Sequence, residues 1–330
     1  WFRISEDEQV LLVALHHIVF DAWSLWILQD ELFQILAQVH GGEIAKLPSP
    51  AATYSDFAIH QQDWISSDEG KQDLLYWSEE LAGPLPSLNL PTDFRRPARS
   101  EYRGATLRFQ VPASLTQDLR DVSKSLRVTP FALSMAIFKV LLHRITGQDD
   151  LIVGTTTSGR SKPEFNSVIG YFVNSLSIRS SAGDDPVFAD YATQVKTKVL
   201  GAIKHQGYPF VSIVDKLSQS SNSPSTADVA GGRRTSGNPV FTVMFGLQKP
   251  RLCEAATLMN DTTAEVEMAG FAVRPFPMDQ QEGQCDLTLE MFDTDETLVG
   301  TLKYDTDLFT KTTAERISQQ FVHLCSEIAR

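Results

Sequence analysis

Cysteine is nearly missing from this chain: Cys253, Cys285 and Cys325 are its only three in 330 residues. They lie far apart, are odd in number and form neither a CxxC pair nor a Cys/His group. That excludes a disulfide framework and a dithiol redox centre, and suits a reducing, cytoplasmic setting. No apolar run reaches the length needed to cross a bilayer, and the opening Trp1-Phe2-Arg3-Ile4-Ser5-Glu6-Asp7-Glu8 lacks the layout of a signal peptide. Positive charge is also short. Against 41 acidic residues stand 29 Lys and Arg, a net charge of -12, and so acidic a surface argues against nucleic acid and anionic membrane as partners. With no initiator methionine, the chain reads as a piece of something longer. It has no internal repeat.

What is present is globular in composition, 42% hydrophobic and 21% charged. Its length exceeds what one core usually serves, so two lobes are expected. Val10 to Leu15 is a continuous apolar run, the pattern of a strand buried on both faces, although six residues do not exclude a buried helix. Leu25, Leu28, Leu32, Ile35, Leu36 and Val39 then recur at helical spacing up to a stop at His40-Gly41-Gly42. Helices follow over Tyr54 to Trp64 and Asp73 to Leu81. Pro84 to Pro97 reads as the linker between lobes, dividing the chain into 1–95 and 96–330. Beyond it, Ala105 to Val111 alternates as a strand, Pro112 and Ser114 open a helix to Leu126, and Thr129-Pro130 starts a core helix over Phe131 to Ile145. Leu151 to Val153 is a short strand, Gly159-Arg160 a turn, and Asp185-Pro186 the start of a helix to about His205. A Ser/Gly/Asn-rich stretch, Ser218 to Gly232, reads as a mobile loop; strands dominate from Pro239 to Lys303, and a last helix runs from about Thr310. The class is mixed α/β, with a two-layer sandwich expected in each lobe.

Two adjacent histidines stand where the first apolar run meets the first helix, in His16-His17-Ile18-Val19-Phe20-Asp21-Ala22-Trp23-Ser24. In a chain with 7 His and 41 acidic residues, a His-His-x-x-x-acid pattern is expected by chance about 0.02 times. Strand alternation would send the two imidazoles to opposite faces, so that one serves a cavity while the other packs or hydrogen-bonds. Asp21 has a structural use open to it as N-cap of the helix, accepting from the Trp23 or Ser24 amide, and that use is compatible with a catalytic neighbour. An HxxxD metal site is the third option. No second cluster with ligand spacing lies nearby, so no metal is expected.

The nonamer resembles the HHxxxDG signature of condensation domains from nonribosomal peptide synthetases, within the chloramphenicol acetyltransferase-like group. Ala22 stands where the family usually has Gly, and its methyl group could crowd the cavity or disfavour a positive φ. Further blocks match in order. Tyr54-Ser55-Asp56-Phe57-Ala58 is similar to the family's YxDYA, Ile169-Gly170-Tyr171-Phe172-Val173-Asn174 to its IGxFVN, His205-Gln206-Gly207-Tyr208-Pro209-Phe210 to its HQDxPF, and Arg234 with Asn238-Pro239-Val240-Phe241 to its RDxSRxPLF. In finer detail, His16 to Leu25, Phe241 to Lys249 and Asp286 to Met291 look most like condensation domains that follow polyketide modules. The resemblance implies a two-lobed α/β sandwich whose first lobe is incomplete here, since the family's earliest motifs precede the histidines.

By the same resemblance, the activity is amide formation between an acyl or peptidyl thioester on an upstream carrier protein and the amino group of an aminoacyl thioester on a downstream one. An adjacent adenylation domain is a further partner. No cofactor is bound tightly; the substrates arrive on the carriers' 4'-phosphopantetheine arms. His17 matches the active-site position, suited to general base catalysis or to hydrogen-bonding the tetrahedral intermediate. His16 and Asp21 support it, with Asp21 pairing an arginine that in the family comes from the preceding segment. Ala22, Trp23 and Ser24 would position substrate, as would the Asn174 amide. Gly170 reads as a backbone necessity, Phe172 as core, and His205 as a residue compensating a helix dipole. Arg95, Arg96, Arg99 and Arg103 read as a solvated basic loop, or as a docking spot for an acidic partner. Three alternatives remain open: an epimerization domain, a coenzyme A-dependent acyltransferase of the same fold, and a non-catalytic recruiting module.

Overall fold

A computed structural model describes residues 1–97, 101–220, 238–249, 264–276 and 283–330. Arg99, Arg234, Cys253 and most of the expected Ser218 to Gly232 loop lie outside them. The chain divides into two compact units. The first holds Trp1–Asp63, Ser158–Val173 and 264–276; the second holds Trp64–Thr157, 174–249 and 283–330.

In the first unit, β1 (Phe2–Arg3) and β2 (Gln9–Val10) form a short antiparallel hairpin, with Phe2 opposite Val10. The strand expected over Val10 to Leu15 goes no further than Val10. A strand exists through its ladder, and no described residue pairs with 11–15, where Leu11, Leu12, Val13 and Leu15 are 41–51% exposed. A 3-10 turn (His17–Val19) leads into α1 (Ala22–His40), which stops at Gly41 and at Gly42 with φ +78°, as the paired glycines predict. Next comes α2 (Tyr54–Ser66). Phe57, Phe165, Val168 and Phe172 make this unit's small core. The unit contains a second hairpin further along the chain but no two-layer sandwich among its described residues.

The first whole helix of the second unit is α3 (Asp68–Glu80), which starts earlier than Asp73 because Ser67 caps it, its Oγ accepting from the Gly70 amide at 3.0 Å. Then come β3 (Gly104–Val111), α4 (Ala113–Ser125), α5 (Pro130–Thr146), β4 (Asp150–Thr157), β5 (Asn174–Ser181), α6 (Phe188–Lys204), α7 (Phe210–Ser220) and β6 (Val243–Gln248). The first unit's hairpin is β7 (Val266–Met268) and β8 (Phe271–Val273); β9 (Leu287–Asp293), β10 (Leu298–Asp305) and α8 (Lys311–Ile328) complete the second. Thr129 caps α5 as its Thr-Pro start predicts, accepting from the Ala132 amide. Asp185 does not cap α6. It sits at φ +49°, and the helix begins after Val187 without a side-chain cap.

One six-stranded sheet, in the order β3-β10-β9-β6-β4-β5, gathers strands from distant parts of the sequence. Neighbours are antiparallel except β9-β6 and β6-β4, which are parallel. The register puts Leu107, Leu302, Leu289, Phe245, Val153 and Ile178 on one face, where they pack into the core with α5 and α8. The other face carries Arg108, Thr301, Glu290 and Ser177.

Pro84 to Pro97 is not a free linker, and the units do not part at residue 95. The Asp93 and Phe94 amides both donate to the Leu308 carbonyl, and the Asp93 carboxylate accepts from Thr310 N and Thr313 Oγ1 at the head of α8. Arg96 forms a two-pronged pair with buried Asp286, at 2.8 and 2.6 Å, so it leaves the basic run expected there.

Lys139 is fully buried beneath the sheet, its Nζ donating to the Leu151 and Ile178 carbonyls at 2.9 and 2.8 Å. Burial pushes its pKa down to about 7, against some opposition from Asp150. Between that value and the ordinary 10.5 the unfolded chain binds the proton that the folded chain does not, so Lys139 costs least at high pH. Lys139→Met is therefore expected to gain thermal stability relative to the parent at pH 7, with the gain shrinking steadily towards pH 10. A difference that stays constant over that range would show the lysine equally charged in both states.

Candidate active site

The two histidines are not on a strand, so alternation does not govern them. His16, extended at φ -72° and ψ 134°, caps the 3-10 turn, its Nδ1 accepting from the Ile18 amide at 3.1 Å. His17 opens the turn with its Nδ1 2.7 Å from the Phe20 carbonyl. A carbonyl only accepts, so His17 Nδ1 carries a proton and, in the neutral ring, Nε2 holds the lone pair; His16 Nδ1 accepts, so its neutral ring is protonated at Nε2. Neighbouring imidazoles are thus held in opposite tautomers. Both residues are exposed, and no described residue hydrogen-bonds Nε2 of His17.

Asp21 is the N-cap of α1 in the predicted manner: extended, with Oδ1 accepting from the Ser24 amide at 2.7 Å. It also faces Arg160 across a fully buried ion pair at 2.8 Å, the two side chains 0% and 1% exposed. Phe172 N donates to the same carboxylate at 3.0 Å. Burial alone would raise the Asp21 pKa, but the hydrogen bonds from Arg160, Ser24 and Phe172 more than reverse this and hold it below the ordinary value. The partner expected from a preceding segment is therefore found within this chain, 139 positions further on. Arg160 also donates to Ser24 Oγ and to the Val168 carbonyl, and its guanidinium carbon lies over the Phe172 ring, 4.0 Å from the centroid.

Around this pair the loop 158–173 is laced to the head of α1. Ser24 Oγ donates to the Gly170 carbonyl at 2.9 Å and accepts from the Gly170 amide at 3.0 Å, and Trp23 Nε1 donates to the Asn166 carbonyl at 3.0 Å. The Tyr54 hydroxyl donates to the Tyr171 carbonyl at 2.7 Å. Gly170 is not among the described glycines with positive φ; what a side chain there would lack is space, because a Cβ would run into the Tyr54 ring. Ala22 occupies the first turn of α1, is exposed, and is not among the described residues with positive φ, so the helix accepts its methyl group.

Asn174 belongs to the second unit. Its Nδ2 donates to the Gln206 and Tyr208 carbonyls at 2.9 and 2.8 Å, and its Oδ1 accepts from the Phe210 amide at 2.9 Å, so the amide clamps the turn from α6 into α7. Asn174→Leu leaves all three groups without partners and is expected to cost about 2 kcal/mol or more. An unchanged thermal unfolding midpoint would contradict the clamp. In the same turn His205 faces buried Asp73 at 2.8 Å and stacks on Tyr76, which is more specific than dipole compensation.

Among the described residues no group of three or more His, Cys, Asp or Glu could hold a metal ion, and no single helix is long and apolar enough to cross a membrane. Burial pushes the Cys325 thiol up to about 12, which removes it as a nucleophile.

The condensation-domain family model matches residues 1–330. Over 328 residues the chain is 35% identical to a linear gramicidin synthase of Brevibacillus parabrevis, covering 99% of this chain and 4% of that protein. With surfactin synthase subunit 1 of Bacillus subtilis it shares 33% identity, over 98% of this chain and 8% of the relative. A four-domain nonribosomal peptide synthetase solved in its holo form with AMP and glycine superposes with a TM-score of 0.80 at 26% identity, over 96% of this chain and 23% of that one. The condensation domain of the monacolin K polyketide synthase shares the fold, with a TM-score of 0.74 at 19% identity, over 95% of this chain and 68% of that one. The chain belongs to the condensation-domain family of nonribosomal peptide synthetases, with the chloramphenicol acetyltransferase-like fold. It spans a small fraction of the multidomain relatives it matches.

Proposed function

We propose that this domain forms an amide bond between an acyl or peptidyl thioester on an upstream carrier and the amine of an aminoacyl thioester on a downstream carrier, with His17 as the base. The observation that carries the reading is the tautomer of His17: with Nδ1–H spent on the Phe20 carbonyl, the lone pair at Nε2 is free to take a proton. As the amine nitrogen attacks the thioester carbonyl carbon, Nε2 takes the proton that nitrogen must shed. Collapse of the tetrahedral intermediate breaks the C–S bond, and the expelled pantetheine sulfur takes the proton back from His17 Nε2 and leaves as the thiol. A thioester is already activated, so holding amine and carbonyl in line supplies much of the acceleration. Asp21 and His16 shape the turn and the helix head that carry His17, without touching the reacting atoms.

The test is reconstitution of the full synthetase module with both carriers loaded, followed by mass spectrometry of each carrier. Amide product on the downstream arm with a free upstream thiol supports the reading. An epimerised but untransferred acyl group, transfer from free coenzyme A alone, or no transfer at all would replace it with one of the alternatives.

A further inference from the structure

His17 is fixed by hydrogen bonding at one atom only. The bond from Nδ1 to the Phe20 carbonyl holds that nitrogen, yet the ring can still swing about it, and the swing moves Nε2 most. Among the described residues one aromatic ring meets it. Tyr171 lies 5.2 Å away between centroids with the planes at 80°, the edge-to-face arrangement that aromatic pairs favour. Tyr171 is 39% exposed, so no core holds its side chain. Its backbone, by contrast, is pinned at three successive residues: Gly170 to Ser24 Oγ through both its amide and its carbonyl, Tyr171 through its carbonyl to the Tyr54 hydroxyl, and Phe172 through its amide to Asp21. Two of those three anchors, Ser24 and Asp21, come from the motif that carries His17. The histidine and the tyrosine are thus referenced to the same helix head.

We infer that Tyr171 is a positioning residue: its ring stops the swing of the His17 imidazole and aims Nε2 at the attacking amine. The inference rests on the reading of His17 as the base. Tyr171 acts through His17 and touches no reacting atom. The contact uses the ring and not the hydroxyl, so phenylalanine serves equally well.

The test uses the full synthetase module with both carriers loaded, comparing Tyr171→Phe, Tyr171→Ala and Tyr171→Leu in the parent and in the His17→Ala background. Tyr171→Phe is expected to keep turnover within about twofold of the parent. Tyr171→Ala is expected to lower kcat about three- to tenfold, with KM for either carrier and the thermal midpoint little changed. Tyr171→Leu, which keeps apolar bulk without an aromatic face, should match the alanine variant and stands in for it if alanine does not fold. In the His17→Ala background none of the three should lower the rate further. An equal loss in that background, a loss confined to KM, or a phenylalanine variant as slow as alanine would overturn the inference while leaving His17 as the base. Near-normal turnover by His17→Ala alone would bring down the base assignment, and the inference with it.

Discussion

His17→Ala in the intact synthetase is expected to slow amide formation by at least about 10²-fold, the usual cost of losing a general acid or base, while leaving the thermal midpoint where it was. The side chain is exposed and its one hydrogen bond goes to a carbonyl three residues away, so folding has little to lose. His16→Ala provides the contrast. It removes an acceptor for the Ile18 amide at the rim of the turn, and the rate should fall far less. Product on the downstream carrier, followed by mass spectrometry, distinguishes the two. Near-normal turnover by correctly folded His17→Ala would remove the residue from the mechanism.

The second large effect is expected at Asp21, and it should appear as instability. Deleting the carboxylate leaves the Arg160 guanidinium, 1% exposed, without its counter-charge, and breaking a buried pair in this way typically costs about 3–5 kcal/mol. Asp21→Asn keeps a good N-cap through its amide oxygen, but it loses the charge and puts an NH2 that only donates where Oδ2 accepts from Arg160 and the Phe172 amide; Asp21→Ala loses the cap as well, at a further cost of about 1 kcal/mol. The sign with pH follows from the lowered folded pKa. Stability from the pair is complete above the ordinary carboxylate value of 3.8 and is lost as pH falls through the lower folded value. The gap in midpoint between the parent and Asp21→Asn should therefore be constant from neutrality down to about pH 5 and close on further acidification. Thermal unfolding against pH, with turnover of the folded fraction alongside, checks both statements. Full stability combined with lost turnover would instead make Asp21 a direct participant in catalysis.

Local signals were legible wherever the cause is local. The α1 stop at Gly41-Gly42, the Thr129 cap of α5, the alternation of β3 and the Thr310 start of α8 all depend on residues within one turn of each other, and each was readable in the sequence. The expected Val10 to Leu15 strand failed for the opposite reason. An apolar run states what a strand would bury but not whether a ladder partner exists, and no described residue pairs with 11–15. Pro84 to Pro97 looked like a linker because prolines mark irregular backbone; only the fold shows that backbone tied to Leu308 and Asp286.

At the site, the sequence by itself determined which residues stand at the head of α1 and in what order. The histidine pair, the Asp21 cap and the order of the later blocks identify the family, because each depends on residue type and short spacing. The tertiary structure alone decided what holds them. Nothing in the Gly159-Arg160 turn announces that its arginine will meet a carboxylate 139 positions earlier, nor that Tyr171 will reach the His17 ring. A buried charge requires a partner but does not specify where in the chain it lies; that is set by the loop 158–173 folding back onto the head of α1.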